Sequence, residues 1–249
     1  MGNRRLVLVL CSICLILAGC ASGDSHEEPT GTNAAGLDTL IDLVIEAYGG
    51  LERLEQVQGY RMAGKLRAVQ RQQDVTTIRW FGRPDRLMLE LHYPDHSEYR
   101  LTRGVRGWKG PNPRTLVPAH PTQVQAMRLQ TRRLDFPLCM NERRREVENL
   151  GPDTAGRTRL RLQVDDLLHI TWHVDPANFR VSKVSLEMAG PPAMKFSAEY
   201  SQFHMISGVL VAFHEVTYAG DTQTAEFQAT DFELDPSALS TQLQVPGEI

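Results

Sequence analysis

From Arg157 onward the chain alternates with a period of two. Leu160, Leu162 and Val164 alternate with Arg159, Arg161 and Gln163, and Ile170, Trp172 and Val174 with His169, Thr171 and His173. Val184, Leu186 and Met188 then alternate with Lys183, Ser185 and Glu187, and Met194, Phe196, Ala198 and Tyr200 with Lys195, Ser197 and Glu199. Successive strand side chains point to opposite faces, so this pattern marks antiparallel strands with one dry and one wet face. Val209 to Tyr218 and Gln223 to Glu233 continue the series. Turn residues separate the runs at Asp165-Asp166, Asp175 to Asn178, Gly190-Pro191-Pro192, Ser207-Gly208 and Gly220-Asp221.

The first half carries the same signal. Tyr60, Met62, Gly64, Leu66 and Ala68 alternate with Arg61, Lys65 and Arg67. Ile78 and Trp80 alternate with Thr77 and Arg79, which puts Trp80 on the dry face and Arg79 on the wet one. Leu87, Leu89, Leu91 and Tyr93 alternate with Met88, Glu90 and His92, and Ser97 to Lys109 read as a hairpin turning near Arg103-Gly104. Helices are few. Leu37, Leu40, Ile41, Val44, Ile45 and Tyr48 form one stripe at helical spacing, stopped by Gly49-Gly50. Residues 110 to 121 carry four prolines and read as an irregular loop. A helical patch follows from about Thr122 to Leu134. The expected fold class is therefore α+β, mainly β: a single large curved antiparallel sheet of about ten or eleven strands, a half-barrel covered by a few helices. Those helices are short for so much dry sheet face, which points to a cavity.

Arg4 and Arg5, the apolar run Leu6 to Leu17 and then Leu17-Ala18-Gly19-Cys20 have the form of a secretory leader. The run is short for a membrane span of about 20 residues. The last four residues resemble the lipobox of bacterial lipoproteins, which implies cleavage before Cys20 and acylation of that cysteine. Residues 1–19 are thus read as signal peptide, 20–36 as a lipid-anchored polar tether and 37–249 as the folded domain. By the same analogy Ala21, not Asp, implies the outer membrane of a diderm host, facing the periplasm. Removing Arg4 and Arg5 leaves 25 basic against 30 acidic residues, which excludes a nucleic-acid-binding footprint. Cys11 and Cys14 leave with the signal, so Cys139 stands alone, no internal disulfide forms and the domain rests on its own core. Between Leu138 and Met140, Cys139 reads as a small buried hydrophobe.

The order of elements resembles the LolA/LolB-like superfamily of lipoprotein carriers and related lipid-binding lipoproteins. The resemblance lies in a leading helix ending Ala47-Tyr48-Gly49-Gly50, then Leu51 and Leu54, and a first strand containing Gly64. Further on come a hairpin with Gly104 and Gly107-Trp108, a mid-chain helix, and Val174-Asp175 before a strand restarting at Val181. Tyr200, Gly208-Val209-Leu210 and Phe232-Glu233-Leu234-Asp235 close the order. It implies a half-barrel with a helical lid over an apolar cavity that holds acyl chains, with no cofactor. The inward candidates for that cavity are Met62, Leu66, Trp80, Leu87, Leu89, Leu91, Leu160, Leu162, Trp172, Leu186 and Phe196. The anchored branch of the superfamily approaches the membrane through an exposed apolar loop residue. Leu116 and Val117 are the candidates for that part, against the simpler reading of an ordinary loop. The superfamily's helix-latching arginine has no identifiable counterpart.

Motifs for chemistry are sparse. His92 and His96 flank a turn, and His169 and His173 share a wet face, but neither pair has the third and fourth ligands of a zinc site. Gly104 to Gly107 precede no helix that could cradle a phosphate, and no Gly-x-Ser-x-Gly elbow occurs. Arg132-Arg133 and Arg143-Arg144-Arg145 read as solvated basic faces. The expected partners are the membrane, through the acyl anchor, and acyl chains, phospholipid or other lipoproteins, with the chain acting as a monomer and not as an enzyme. The competing reading is an envelope interaction or sensing module on the same fold, with a filled core.

Overall fold

The structure, a computed structural model, describes residues 32–69, 72–135, 137–190 and 193–245. The leader, Cys20, most of the tether and the prolines at 191 and 192 lie outside the described residues. Helices α1 (Thr32–Ala47) and α2 (Leu51–Gln56) lead into strands β1 (Gly59–Ala68), β2 (Gln73–Gly82), β3 (Arg86–His92), β4 (Ser97–Arg103), β5 (Arg106–Gly110) and β6 (Val117–Pro118). Helices α3 (Pro121–Arg132) and α4 (Leu138–Glu142) and a 3₁₀ turn at Arg144–Glu146 follow. Strands β7 (Glu148–Pro152), β8 (Thr158–Gln163), β9 (Leu168–Val174), β10 (Val181–Met188), β11 (Met194–Ile206), β12 (Val209–Ala219) and β13 (Thr222–Leu234) precede the last helix, α5 (Leu239–Gln242). The first turn of α1 thus falls in the stretch read as tether.

All thirteen strands form one open antiparallel sheet in the order β6-β5-β4-β3-β2-β1-β13-β12-β11-β10-β9-β8-β7. The count exceeds the expected ten or eleven because β6 and β7, too short or too polar to show alternation, pair at the two rims. Both rim strands contain proline, Pro118 and Pro152. Proline cannot donate to a further ladder and so suits an edge. This order has one large consequence. The chain leaves one rim at β6 and re-enters at the opposite rim as β7, so residues 119–147, with α3 and α4, must cross the concave face from edge to edge.

Local chemistry starts α3 where the crossing begins. His120 Nδ1 accepts from the Thr122 amide, Gln123 Oε1 accepts from the His120 amide, and Pro121 occupies the first helical position. The helix lies on the inner face of β4 and β5: a Cβ on Gly107 would stand 3.1 Å from Val124 Cγ2. Toward β7 the inner face is solid. Ile41, Val44, Ile45 and Tyr48 of α1 pack with Leu138 and Met140 of α4 against Leu160, Leu162, Leu168, Ile170, Trp172, Val184 and Leu186. Cys139 packs against this core only partly buried, and burial pushes its thiol up to about 11.

The outer face of β2 to β5 has its own cover. Trp80 stands opposite Met88, Met88 opposite Leu101, and Leu101 opposite Trp108. Leu116, Leu243 and Val245 close over this row, with α5 beside it. The chain end therefore shields apolar surface that the sheet turns away from its concave side.

The end of α1 is fixed by a backbone contact that admits only glycine. Gly49 has φ +122°, and a Cβ there would lie 2.0 Å from the Gly208 carbonyl oxygen. Beside it, the Leu210 amide donates to the Tyr48 carbonyl at 3.1 Å, and the Val181 amide donates to the Tyr48 hydroxyl at 3.2 Å. Gly49→Ala should cost at least about 2 kcal/mol through strain and steric conflict. Urea denaturation of the variant should show a lower midpoint, whereas Gly151→Ala, also at positive φ but facing open space, should show a smaller loss.

Candidate functional site

Between the solid half of the concave face and α3, the sheet is not filled. Two adjoining chambers lie there, with about 120 Å³ of water-accessible space in the first and about 200 Å³ in the second. Each exceeds the room one water needs. The first is walled by aromatic and aliphatic side chains, among them Tyr60, Met62, Phe81, Leu138, Val211 and Phe232. Tyr60 stacks at a tilt between Phe81 and Phe232, 5.2 and 5.3 Å between centroids, and burial raises its hydroxyl pKa. The second is walled by Leu66, Leu87, Leu89, Leu91 and Phe196, with Gln130, Thr217 and Thr224 as polar members.

Arg79, Leu134, Glu215 and Phe227 line both chambers and form the partition. Register explains how they meet. Arg79 on β2 stands opposite Met62 and Leu89, and Glu215 on β12 stands opposite Tyr200 and Phe227, all in inward-facing rows. Arg79 grips Glu215 with both terminal nitrogens, at 2.7 and 3.2 Å, and lies over the Phe227 ring at 4.0 Å. Arg133, the residue that ends α3, approaches the same carboxylate at 2.5 Å and donates to the Tyr200 hydroxyl at 3.4 Å. The crossing segment is thus pinned to the sheet by a buried Arg–Glu–Arg triad. Burial pushes the Glu215 pKa up, but Arg133 and then Arg79 outweigh it and hold the carboxyl down to about 2. A second pair, Arg83 with Asp135 at 3.1 Å, fastens the segment beside the first chamber. Here burial wins over Arg83, and Asp135 is pushed up to about 7.

The expected residues distribute unevenly. Met62 lines the first chamber, and Leu66, Leu87, Leu89, Leu91 and Phe196 the second. Leu160, Leu162, Trp172 and Leu186 instead sit in the solid core under α1 and line neither chamber, because α1 and α4 fill that half of the face. Trp80 is on the outer face, where its indole donates to Glu90 at 2.6 Å; the inward residues of its strand are Val75, Thr77, Arg79 and Phe81. Arg133 is no solvated basic residue: it is 3% exposed. Leu116 is buried against Trp108, which corrects its reading as an exposed loop residue, while Val117 is 56% exposed on β6. The triad and Phe81, Phe227 and Phe232 were missed; the one available signal was Phe81 directly after Trp80, which makes the inward phase of that strand ambiguous.

A second polar cluster lies on the outer face. His173 Nδ1 is 2.9 Å from Asp153 Oδ2 and its Nε2 is 3.0 Å from Ser185 Oγ. These are the residue types of a nucleophilic triad. Ser185, however, sits within β10, paired with β9 and β11 on either side, and its neighbourhood of ladder-bonded amides supplies no donor pair for an oxyanion. The cluster ties the β7 end to the sheet. Among the described residues no group of three or more His, Cys, Asp or Glu is placed to hold a metal, and no helix is long and apolar enough to cross a membrane.

The two carboxylates give opposite pH signatures. Glu215, depressed in the folded state, contributes stability above the unfolded value of about 4.5 that is lost as pH falls toward 2. Asp135, raised, contributes most below about 4, and that contribution is lost as pH rises through 7. Glu215→Gln should therefore cost about 3–5 kcal/mol at pH 7 by leaving two buried guanidiniums without a countercharge. Asp135→Asn should raise Tm at pH 8 and leave it unchanged at pH 4. Thermal melts at the two pH values check both.

No protein-family model matches the chain, and no curated protein matches it. Solved structures do. A DUF1329 family protein from Desulfovibrio piger is 9% identical with TM-score 0.53, over 84% of this chain and 97% of that one. A protein from Vibrio parahaemolyticus described as an outer membrane lipoprotein-sorting protein domain is 9% identical with TM-score 0.52, over 84% of this chain and 100% of that one. A LolA superfamily protein from Nitrosomonas europaea is 13% identical with TM-score 0.54, over 80% and 94%. At such identities the likeness is one of architecture, and on that ground the chain has a LolA-like fold.

Proposed function

We propose that this chain is a lipid-anchored carrier of the cell envelope, holding an acyl chain of a lipid or of another lipoprotein beneath the crossing segment. The reading is carried by one observation: on a LolA-like sheet, the dry face between the packed core under α1 and the strands covered by α3 is left hollow and walled with aromatic and aliphatic side chains. Such a wall favours an acyl chain because the gain grows with apolar area removed from water. The structural neighbour described as a lipoprotein-sorting domain supports the same direction. The leader implies attachment through acylated Cys20 to the outer membrane, facing the periplasm. In this reading the protein works as a monomer, without cofactor and without catalysis, and Val117 is the remaining candidate for touching the membrane. The crossing segment would act as the lid, since its Leu134 lines both chambers and its Arg133 and Asp135 are tied to the sheet beside them.

Organic extraction of the full-length chain purified from a membrane-containing host, followed by lipid mass spectrometry, tests this. The wild type should yield a stoichiometric acyl lipid. Ala212→Trp, placed on the first chamber's wall, should lower the recovered lipid by at least about tenfold, because the indole takes up space an acyl chain would fill. A protein recovered empty and unable to take up fatty acid would replace the carrier by the interaction module with a merely imperfect core.

A further inference from the structure

The hollow is apolar in its walls but not neutral. Four arginines line the two chambers: Arg79, Arg83, Arg100 and Arg133. Arg83 is matched by Asp135 at 3.1 Å and Glu142 at 2.5 Å, and Arg100 by Glu98 at 2.6 Å. Arg79 and Arg133 share one carboxylate, Glu215, and Tyr200 offers Arg133 only a neutral oxygen. Arg83 has two carboxylates and the buried triad only one, so the triad of Arg79, Arg133 and Glu215, each at least nine-tenths buried, by itself carries one net positive charge. Burying an unmatched charge is costly unless an anion joins it. A second observation points to the same place. Arg133 Nε is buried and donates to nothing, although Arg133 lines the second chamber. A guanidinium satisfied only in part presents a donor fork suited to a carboxylate or phosphate.

We infer that the occupant is an amphiphile with a singly charged anionic head, which sits in the second chamber against Arg133 and Arg79 while its acyl chain lies along the aromatic walls. The inference rests on the carrier reading and narrows it from acyl chains in general to acyl chains with an anionic head. Gln130, Thr217 and Thr224 line the same chamber and supply neutral hydrogen bonds around the head. The head can be the carboxylate of a free fatty acid or the phosphodiester of a phospholipid, since both present the same charge and acceptor oxygens.

The test needs no variant to be decisive. The full-length chain, depleted of endogenous lipid, is titrated against a neutral naphthylamine probe with palmitate, 1-hexadecanol, phosphatidylglycerol and phosphatidylcholine. Palmitate should displace the probe at least about tenfold more tightly than hexadecanol, the difference expected of one charge-assisted contact. Preference for phosphatidylglycerol over phosphatidylcholine, with no preference for palmitate over hexadecanol, would support the inference and assign the phosphodiester. Equal affinity within both pairs would overturn it while leaving the carrier standing, and failure of all four ligands to bind would overturn both. Arg133→Met should erase the anion preference yet keep hexadecanol binding. If that variant does not fold, Gln130→Leu should weaken palmitate several-fold more than hexadecanol.

Discussion

The contact between Arg133 and Glu215 governs how the two layers of this protein meet. A sheet with one dry face must be covered, and here the segment that crosses the hollow is held by buried charge as well as by the core residues Leu129, Leu138 and Met140. Arg133 closes α3, Glu215 sits mid-strand on β12, and Arg79 reaches the same carboxylate from β2. Three elements distant in sequence are thereby fixed around one buried anion. Replacing such a triad by apolar groups of like volume is often neutral or stabilising. Stability alone therefore does not account for it.

The hollow exists because the helices are unequally distributed. α1 and α4 pack down on β8, β9 and β10 and leave no space under Trp172, which is fully buried. α3 is more amphipathic than apolar and offers few large side chains to the sheet: Val124, Met127 and Leu129 are followed by Gln125, Arg128 and Gln130. The same sheet therefore has a cemented half and a vacant half. The outer face has a local cover of its own, since α5 and the residues after it close over the outward row of β2 to β5.

Much of the architecture was legible because a buried face imposes a period of two. Leu87, Leu89 and Leu91 face inward as their spacing requires. The rims were not legible: β6 is two residues long and β7 contains Gly151 and Pro152, so neither offers a pattern to read. The phase of β2 was misread for a physical reason. Both faces of that strand are covered, so Trp80 and Phe81 are each buried on opposite sides and alternation loses its meaning. Arg79 then looked like the wet member of the strand, when it is the inward one. Arg133 was hidden similarly, since a pair of arginines at a helix end is ordinarily solvated and nothing local announces a glutamate 82 positions later.

The crossing of residues 119–147 from rim to rim has a mechanical meaning. α3 alone spans about 18 Å at 1.5 Å per residue, and its continuation through α4 ends on the strand at the far edge. The segment is therefore a bowstring to the sheet's bow: its length and the sheet's curvature are one variable. Anything that slackens the string lets the sheet flatten, and anything that bends the sheet further slackens the string. The two rims are thus joined twice, once through the ladder of thirteen strands and once through a single short stretch of chain, so a displacement of that stretch bears on both edges together.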